Sequence, residues 1–389
     1  MADLLTAEGL ARFGEVAASH VGAEKVPGLV ALVARGDQVH VETVGALALG
    51  GPPVRRDSQF RIASTTKAIT GAATMALVDE GLLDPDDPID GLLPELADRQ
   101  VLRRMDGPLD DTVKADRPIT VRDLLTFTFG FGMAVEMFMA PEPWPIVKAA
   151  SELPLGTFGP PNPASLPDLD AWMAALGSLP LIAQPGERWL YNTGASVLGA
   201  LLARATGGPA IDVYRTRLFE PLSMADTAFY AADVGRLATA YVETPDGLQV
   251  SDPPDGQWSS PPAFADGAAG LVSTVDDLLA FARALLRGGE PVLSPEAVGQ
   301  MTRDQLTTEQ KARGIGGFLE GRSWSFCQSV ITEGPHAGAY GWDGGLGTSW
   351  LVDPSLDLTI IVLTQRQWPT ARPPQVHGDL EDAAYSAIA

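Results

Sequence analysis

The chain is poor in several things that protein chemistry often relies on. One cysteine, Cys327, stands among 389 residues, which excludes an intrachain disulfide and a cysteine-rich metal site. The four histidines (His20, His40, His336 and His377) form no H-E-x-x-H pair. The acidic run "DPDDPID" at Asp84 lacks the glycine and glutamate of a calcium loop, and no Walker A or strand-linked G-x-G-x-x-G occurs. No metal and no cofactor is therefore expected. Positive charge is scarce, with 27 Lys and Arg against 49 Asp and Glu and a net charge of -22. Such a mean field repels nucleic acid and anionic membrane surfaces, and solubility is its plainest use. No window reaches the roughly 18 uninterrupted apolar residues of a membrane span.

What is present suits a folded chain. Hydrophobic residues make up 45% and charged residues 20%, enough for a large core in one large or two ordinary domains. The N-terminal "MADLLTAEGLARFGEVAASH" has neither a basic nor a continuous apolar region, so a cytoplasmic protein is expected. That stretch reads as an amphipathic helix, capped by Thr6, with Leu10, Phe13 and Ala17 on one face.

Two β-rich runs in "GLVALVARGDQVHVETVG" (28–45) flank Arg35-Gly36-Asp37 and predict a hairpin. "GTSWLVDPSLDLTIIVLTQ" repeats the plan around Asp353-Pro354-Ser355. One antiparallel sheet built from both chain ends follows, with helices such as "GDLEDAAYSAIA" covering it. The intervening patterns are mostly helical. "TVRDLLTFT" opens with Thr120 and Asp123 at capping-box spacing, and "GASVLGALLARATGG" runs into Gly207-Gly208. "STVDDLLAFARALLRGG" likewise stops at Gly288. The fold class is α/β. Residues 1–80 and 240–389 form the α/β lobe, and 81–239 form an inserted, mainly helical lobe. Between Phe127 and Leu166 the chain is dense in Phe, Met, Pro and Gly and too broken for regular structure. It reads either as a pocket wall or lid, or as core packing.

The chemistry concentrates in "FRIASTTKAITGAATMALVDEGLL". Of five lysines (Lys25, Lys67, Lys114, Lys148 and Lys311), only Lys67 has a serine three places before it. On a helix, i and i+3 share a face, so Ser64 and Lys67 would touch. Ser64 would head a helix running to Glu80 with Gly81 as its stop, where free N–H groups favour developing negative charge. A serine hydroxyl needs an adjacent base, and a lysine serves only if burial or neighbouring cations lower its pKa. The plain alternative is a capped helix with Lys67 as a solvated charge.

This stretch resembles the active-site helix of the serine β-lactamase and penicillin-binding-protein superfamily, in the class C-like branch that holds the family VIII carboxylesterases. The resemblance implies that Ser64 is acylated. "QPGERWLYNTGASVLG" is similar to the family's Y-x-N motif, with Tyr191 beside the nucleophile. A phenol near two cations could hold a lowered pKa and relay a proton to the leaving group. "YGWDGGLGTSWLVDP" matches the third motif through Trp342-Asp343-Gly344, followed by Gly345, on what would be an edge strand lining the pocket. By analogy, the N–H groups of Gly345 and Ser64 would form the oxyanion hole. "PITVRDLLTFTFGFG" and "GAAGLVSTVDDLLAFARALLRGG" also resemble family stretches, so the likeness covers nearly the whole chain in order.

Two departures bear on substrate. The third-motif lysine is replaced by Trp342, and Asn192 stands one place early, with Thr193 where the family has its amide. Both weaken recognition of a carboxylate or an amide and favour an uncharged, small-molecule ester. The expected activity is a two-step serine carboxylesterase acting on short-chain esters, with Lys67 and Tyr191 sharing the acid and base work. The alternatives are a β-lactamase, a D-amino-acid peptidase or an acyltransferase on the same nucleophile, or an inactive ligand-binding relative. A Ser-His-Asp hydrolase would need G-x-S-x-G, and "GASVL" at Gly194 lacks the last glycine. His336 is expected to be a loop or pocket residue. Oligomeric state has no signature here.

Overall fold

The computed structural model describes residues 5–313, 319–370 and 372–389. Its main sheet has seven antiparallel strands: β1 (Gly28–Arg35), β2 (Gln38–Gly45), β3 (Arg322–Trp324), β4 (Ser329–Ile331), β5 (Tyr340–Gly344), β6 (Thr348–Asp353) and β7 (Leu358–Thr364). Their order is β2-β1-β7-β6-β5-β4-β3, so the two chain ends meet where β1 pairs with β7, Leu29 opposite Thr364. The two hairpins read from the sequence are β1–β2 and β6–β7.

Period-two alternation explains how β1 is buried throughout. Val30, Leu32 and Ala34 enter the large core, while Leu29, Ala31 and Val33 enter a second, smaller core on the other face. That second face is covered by α1 (Ala7–Ser19) and, at the far end of the chain, by a helix over Gln375–Ser386. Phe13 and Ala17 supply the first, and Leu380 and Ala384 the second. The Thr6 side chain caps α1 by accepting from the Gly9 N–H at 3.0 Å.

On the large-core face lies α2 (Thr66–Asp79), buried from Thr66 to Leu77. Against it pack α3 (Thr193–Thr206) and, further along, α4 (Val275–Leu286) closes over β7; the C-terminal helix is α5. α3 ends at Gly207 with φ 68°, the left-handed stop that its sequence predicts. The Thr120–Asp123 capping box forms in both directions, though its helix spans only Val121–Leu125. Phe127, at φ 60°, turns the chain away two residues later.

Two expectations need correction. The third motif is not on an edge strand, because β4 and β3 pair outside β5. The β4–β5 ladder nevertheless stops at Ser329↔Gly341, short of Trp342–Gly344. A strand's neighbours are nonlocal, and the short β3–β4 hairpin carries no strong sequence pattern. The segment 127–166 is also more regular than expected, with short helices at Val135–Met139 and Pro145–Ser151. Both of its readings hold in part: Phe127, Phe129 and Phe131 are core, and later residues line a cavity. Among the described residues no helix is long and apolar enough to cross a membrane.

Candidate active site

Ser64 sits on a 3₁₀ turn, Ala63–Thr65, that feeds into α2 rather than on the α-helix itself. Ala63 has φ 43°, a left-handed conformation that costs a non-glycine residue strain and lifts the serine out of the helical path. Ser64 is no cap. Its Oγ instead accepts from Lys67 Nζ at 2.8 Å. The second acceptor for Nζ is the carbonyl of Ala268, also at 2.8 Å. That carbonyl belongs to a loop pinned to α2 by Thr70 Oγ1, which donates to Gly267 O at 2.7 Å.

Lys67 is wholly buried. Burial lowers its pKa from the usual 10.5 to about 7, against an opposing pull from the Asp266 carboxylate and Cys327. Among the described residues no carboxylate oxygen reaches Nζ at hydrogen-bond distance; Asp266 is engaged by Ser196 Oγ at 2.6 Å and by the Ala268 N–H at 3.0 Å. An amine placed thus exists in both protonation states near neutrality.

Tyr191 lies just ahead of α3 and its hydroxyl hydrogen-bonds with Ser64 and accepts from Trp342 Nε1 at 2.8 Å. Its ring stands 4.8 Å from Lys67 Nζ and packs among Trp189, Trp324, Phe127 and Trp342. The expected lowering of its pKa does not occur. Burial pushes the phenol up, and the bonds with Ser64 and Trp342 offset this only in part. The nearby Asp343 carboxylate adds to the rise.

The third motif reaches the serine by close backbone approach. A Cβ on Gly344 would lie 2.3 Å from the carbonyl of Ile62, so only glycine lets β5 run against the nucleophile turn. Thr348 Oγ1 reinforces this by donating to Ile62 O at 3.0 Å. Gly345 follows, with open space where its side chain would be. Ser64, Tyr191, Trp342 and Gly345 line one cavity of about 440 Å³, whereas Gly344 stands behind the wall. The Phe/Met/Pro segment supplies Met133, Phe138, Phe158 and Pro160 to the same cavity. Paired bonds of 2.9 Å between the Met133 and Tyr191 backbones tether that segment to the phenol.

Several features of the site go beyond the sequence reading. Ala268 acts through a carbonyl that any residue could offer, so no residue-type signal exists. Asn192 lines the cavity with φ 88° and ψ -60°, strained geometry beside the reacting groups. Thr193, which occupies the motif's amide position, points away and shares a 2.5 Å bond with Thr157. Asp343 also lines the cavity, its carboxyl pushed up by burial while Arg322 pulls it down. His336 is outside the site, stacked on Tyr385 with Nδ1 3.3 Å from Asp353. Among the described residues no group of three or more His, Cys, Asp or Glu could hold a metal ion.

A nucleophile turn, a buried lysine one turn along and a tyrosine brought from the helical region, all facing a glycine strand, define the β-lactamase class of fold. A family model described as beta-lactamase matches residues 13–384, and the chain belongs to that family. Within it, Esterase EstB of Burkholderia gladioli is 30% identical over 390 aligned positions, covering 93% of this chain and 91% of that protein. An uncharacterized protein of Mycobacterium tuberculosis is 41% identical over 337 residues, 81% of this chain and 79% of its own length. Among solved structures, EstCE1, described as a hydrolase with promiscuous acyltransferase activity, superposes with a TM-score of 0.82. It is 25% identical and the match covers 97% of this chain and 99% of that one.

Proposed function

We propose that this protein is a serine carboxylesterase that cleaves short, uncharged esters through an acyl-enzyme on Ser64. One observation carries the reading: a fully buried ammonium, held near neutrality, within 2.8 Å of the only serine at i-3 to a lysine. With Lys67 neutral, Nζ takes the Ser64 proton as Oγ attacks the ester carbonyl. The carbonyl oxygen becomes an oxyanion that the N–H groups of Ser64 and Gly345 receive, each donor contributing about 3 kcal/mol. Tyr191 is a neutral phenol at rest. It gives its proton to the departing alkoxide, and the proton that Lys67 took from Ser64 then restores the phenol. Water then enters by the same route in reverse and releases the acid. The raised phenol and the lowered amine favour Lys67, not Tyr191, as the base.

The two-lobe division at residues 80 and 239 is part of this proposal, since the cavity lies between β5 and the 133–161 segment. The name of EstB and the apolar lid residues support an ester over an amide. Acyl transfer is the second reading, supported by the description of EstCE1 and by acyltransferase calJ of Penicillium decumbens at 27% identity. An alcohol would replace water at the same acyl-enzyme. The test is incubation with p-nitrophenyl butyrate and nitrocefin, with mass spectrometry of the trapped adduct. Faster turnover of nitrocefin would overturn the ester preference, and an adduct on another serine would overturn the nucleophile.

A further inference from the structure

The cavity's charges are unevenly matched. Among the described residues its charged lining groups are Asp266, Glu320, Asp343 and Arg322. Asp266 is committed to Ser196 and the Ala268 backbone. Arg322 stands 4.0 Å from Asp343, at the limit of an ion pair and beyond a hydrogen bond. Along β5, Trp342 faces the aromatic core, so Asp343 faces the opposite side, across from Ser349 on β6. On that side it stands near Arg322 and lines the same cavity as Ser64 and Tyr191. Its side chain is about one-fifth exposed, so its field is weakly screened. The same cavity is lined by Phe158 and Trp368, aromatic rings of the kind that also stabilise a cation.

We propose that Asp343 is a specificity-determining residue that ranks substrates by charge, favouring an ammonium-bearing acyl group over a carboxylate-bearing one of equal length. The proposal rests on the esterase reading and adds to its preference for uncharged esters a ranking among charged acyl groups. An acyl chain attached to Ser64 enters the cavity that Asp343 also lines, so a terminal charge on it feels the Asp343 carboxylate. A terminal carboxylate there meets repulsion from Asp343 and Glu320 against attraction from the single guanidinium of Arg322.

Two p-nitrophenyl esters test it, those of 4-(trimethylammonio)butyrate and of glutarate, with the uncharged butyrate ester as a control. The ratio of kcat/KM for the cationic over the anionic ester is the readout. In the native protein it should be about tenfold, and it should persist at about 0.5 M NaCl, where the field of the distant surface is screened. In Asp343→Asn it should fall to about threefold or less. Asp343→Ser serves as the second variant if the amide disturbs β5. A native ratio near one, a ratio abolished by salt, or one retained in both variants would overturn the assignment. No turnover of the uncharged butyrate ester would instead defeat the esterase reading itself.

Discussion

Arg61 and Lys67 lie six residues apart, both buried cations, and they are handled in opposite ways. Arg61 has its charge answered: Nε donates to Asp252 Oδ2 at 2.6 Å, other guanidinium donors reach the carbonyls of Ala238 and Pro253, and the plane stacks over Trp258 at 5.3 Å. Lys67 donates to a hydroxyl and a carbonyl and has the Tyr191 ring 4.8 Å away, but among the described residues no carboxylate is hydrogen-bonded to it. A fully paired guanidinium in a closed pocket is a structural bracket, joining the start of the active-site segment to residues 238–253. A buried amine without a carboxylate partner is costly as a cation, and that cost is what turns it into a base. Burial alone thus does not distinguish structure from catalysis; the partner does.

The largest expected effect splits the two. Ser64→Ala and Lys67→Ala should each lower kcat/KM for p-nitrophenyl butyrate by about 10³-fold or more, with thermal midpoints unchanged or raised. Ser64→Ala should also abolish labelling by a fluorophosphonate. The reverse pattern belongs to the bracket. Asp252→Asn leaves Arg61 buried and uncompensated and should cost about 3–5 kcal/mol in denaturant unfolding, with kcat nearly intact in the protein that remains folded. If Lys67→Ala unfolded the chain as badly as Asp252→Asn, the contrast would collapse.

A pH profile sharpens the same contrast. The ordinary lysine value is 10.5 and that of Lys67 is about 7. With the neutral amine as the proposed base, kcat/KM should climb with pH and level off above about 7, falling about tenfold per unit below it. The stability sign follows too. The folded protein holds one proton fewer than the unfolded chain between the two values, so Lys67 costs most below 7 and its cost fades as pH rises towards 10.5. Lys67→Met should remove that slope from the stability curve, whereas Arg61, charged throughout, contributes none of it. A rate profile flat from about pH 5.5 to about 8.5 would break the assignment of the base.

The sequence displayed Ser64 and Lys67 because their relation is local: an i, i+3 spacing on a helix is a distance that can be read directly. Tyr191 and the glycine strand became visible through motif order, and the sheet through two hairpins with clear turns. Other features were hidden for physical reasons. The interior position of β5 depends on a three-residue hairpin pairing at long range. The direction of the Tyr191 shift depends on how deeply the fold buries it. Ala268 contributes a backbone atom, and Asn192 a dihedral angle, neither of which residue type encodes. Asp343 was in plain view within the third motif, yet only its place on the cavity wall gives it a meaning.

The smallest predicted effect tests how far the aromatic cluster takes part in the chemistry. Trp342 Nε1 donates to the Tyr191 hydroxyl at 2.8 Å, while its ring fills space against Trp324 at 4.7 Å. Phenylalanine keeps most of the ring and deletes the donor. A lost hydrogen bond of about 1 kcal/mol corresponds to about fivefold. If the indole N–H supports Tyr191 as proton donor, Trp342→Phe should lower kcat more than it changes KM. The loss should also grow as the leaving group becomes more basic, small for a p-nitrophenyl ester and larger for an ethyl ester, because only the latter depends on prompt protonation. Equal losses on both esters would reduce Trp342 to packing, and the proton relay would then have to run through Tyr191 without its help.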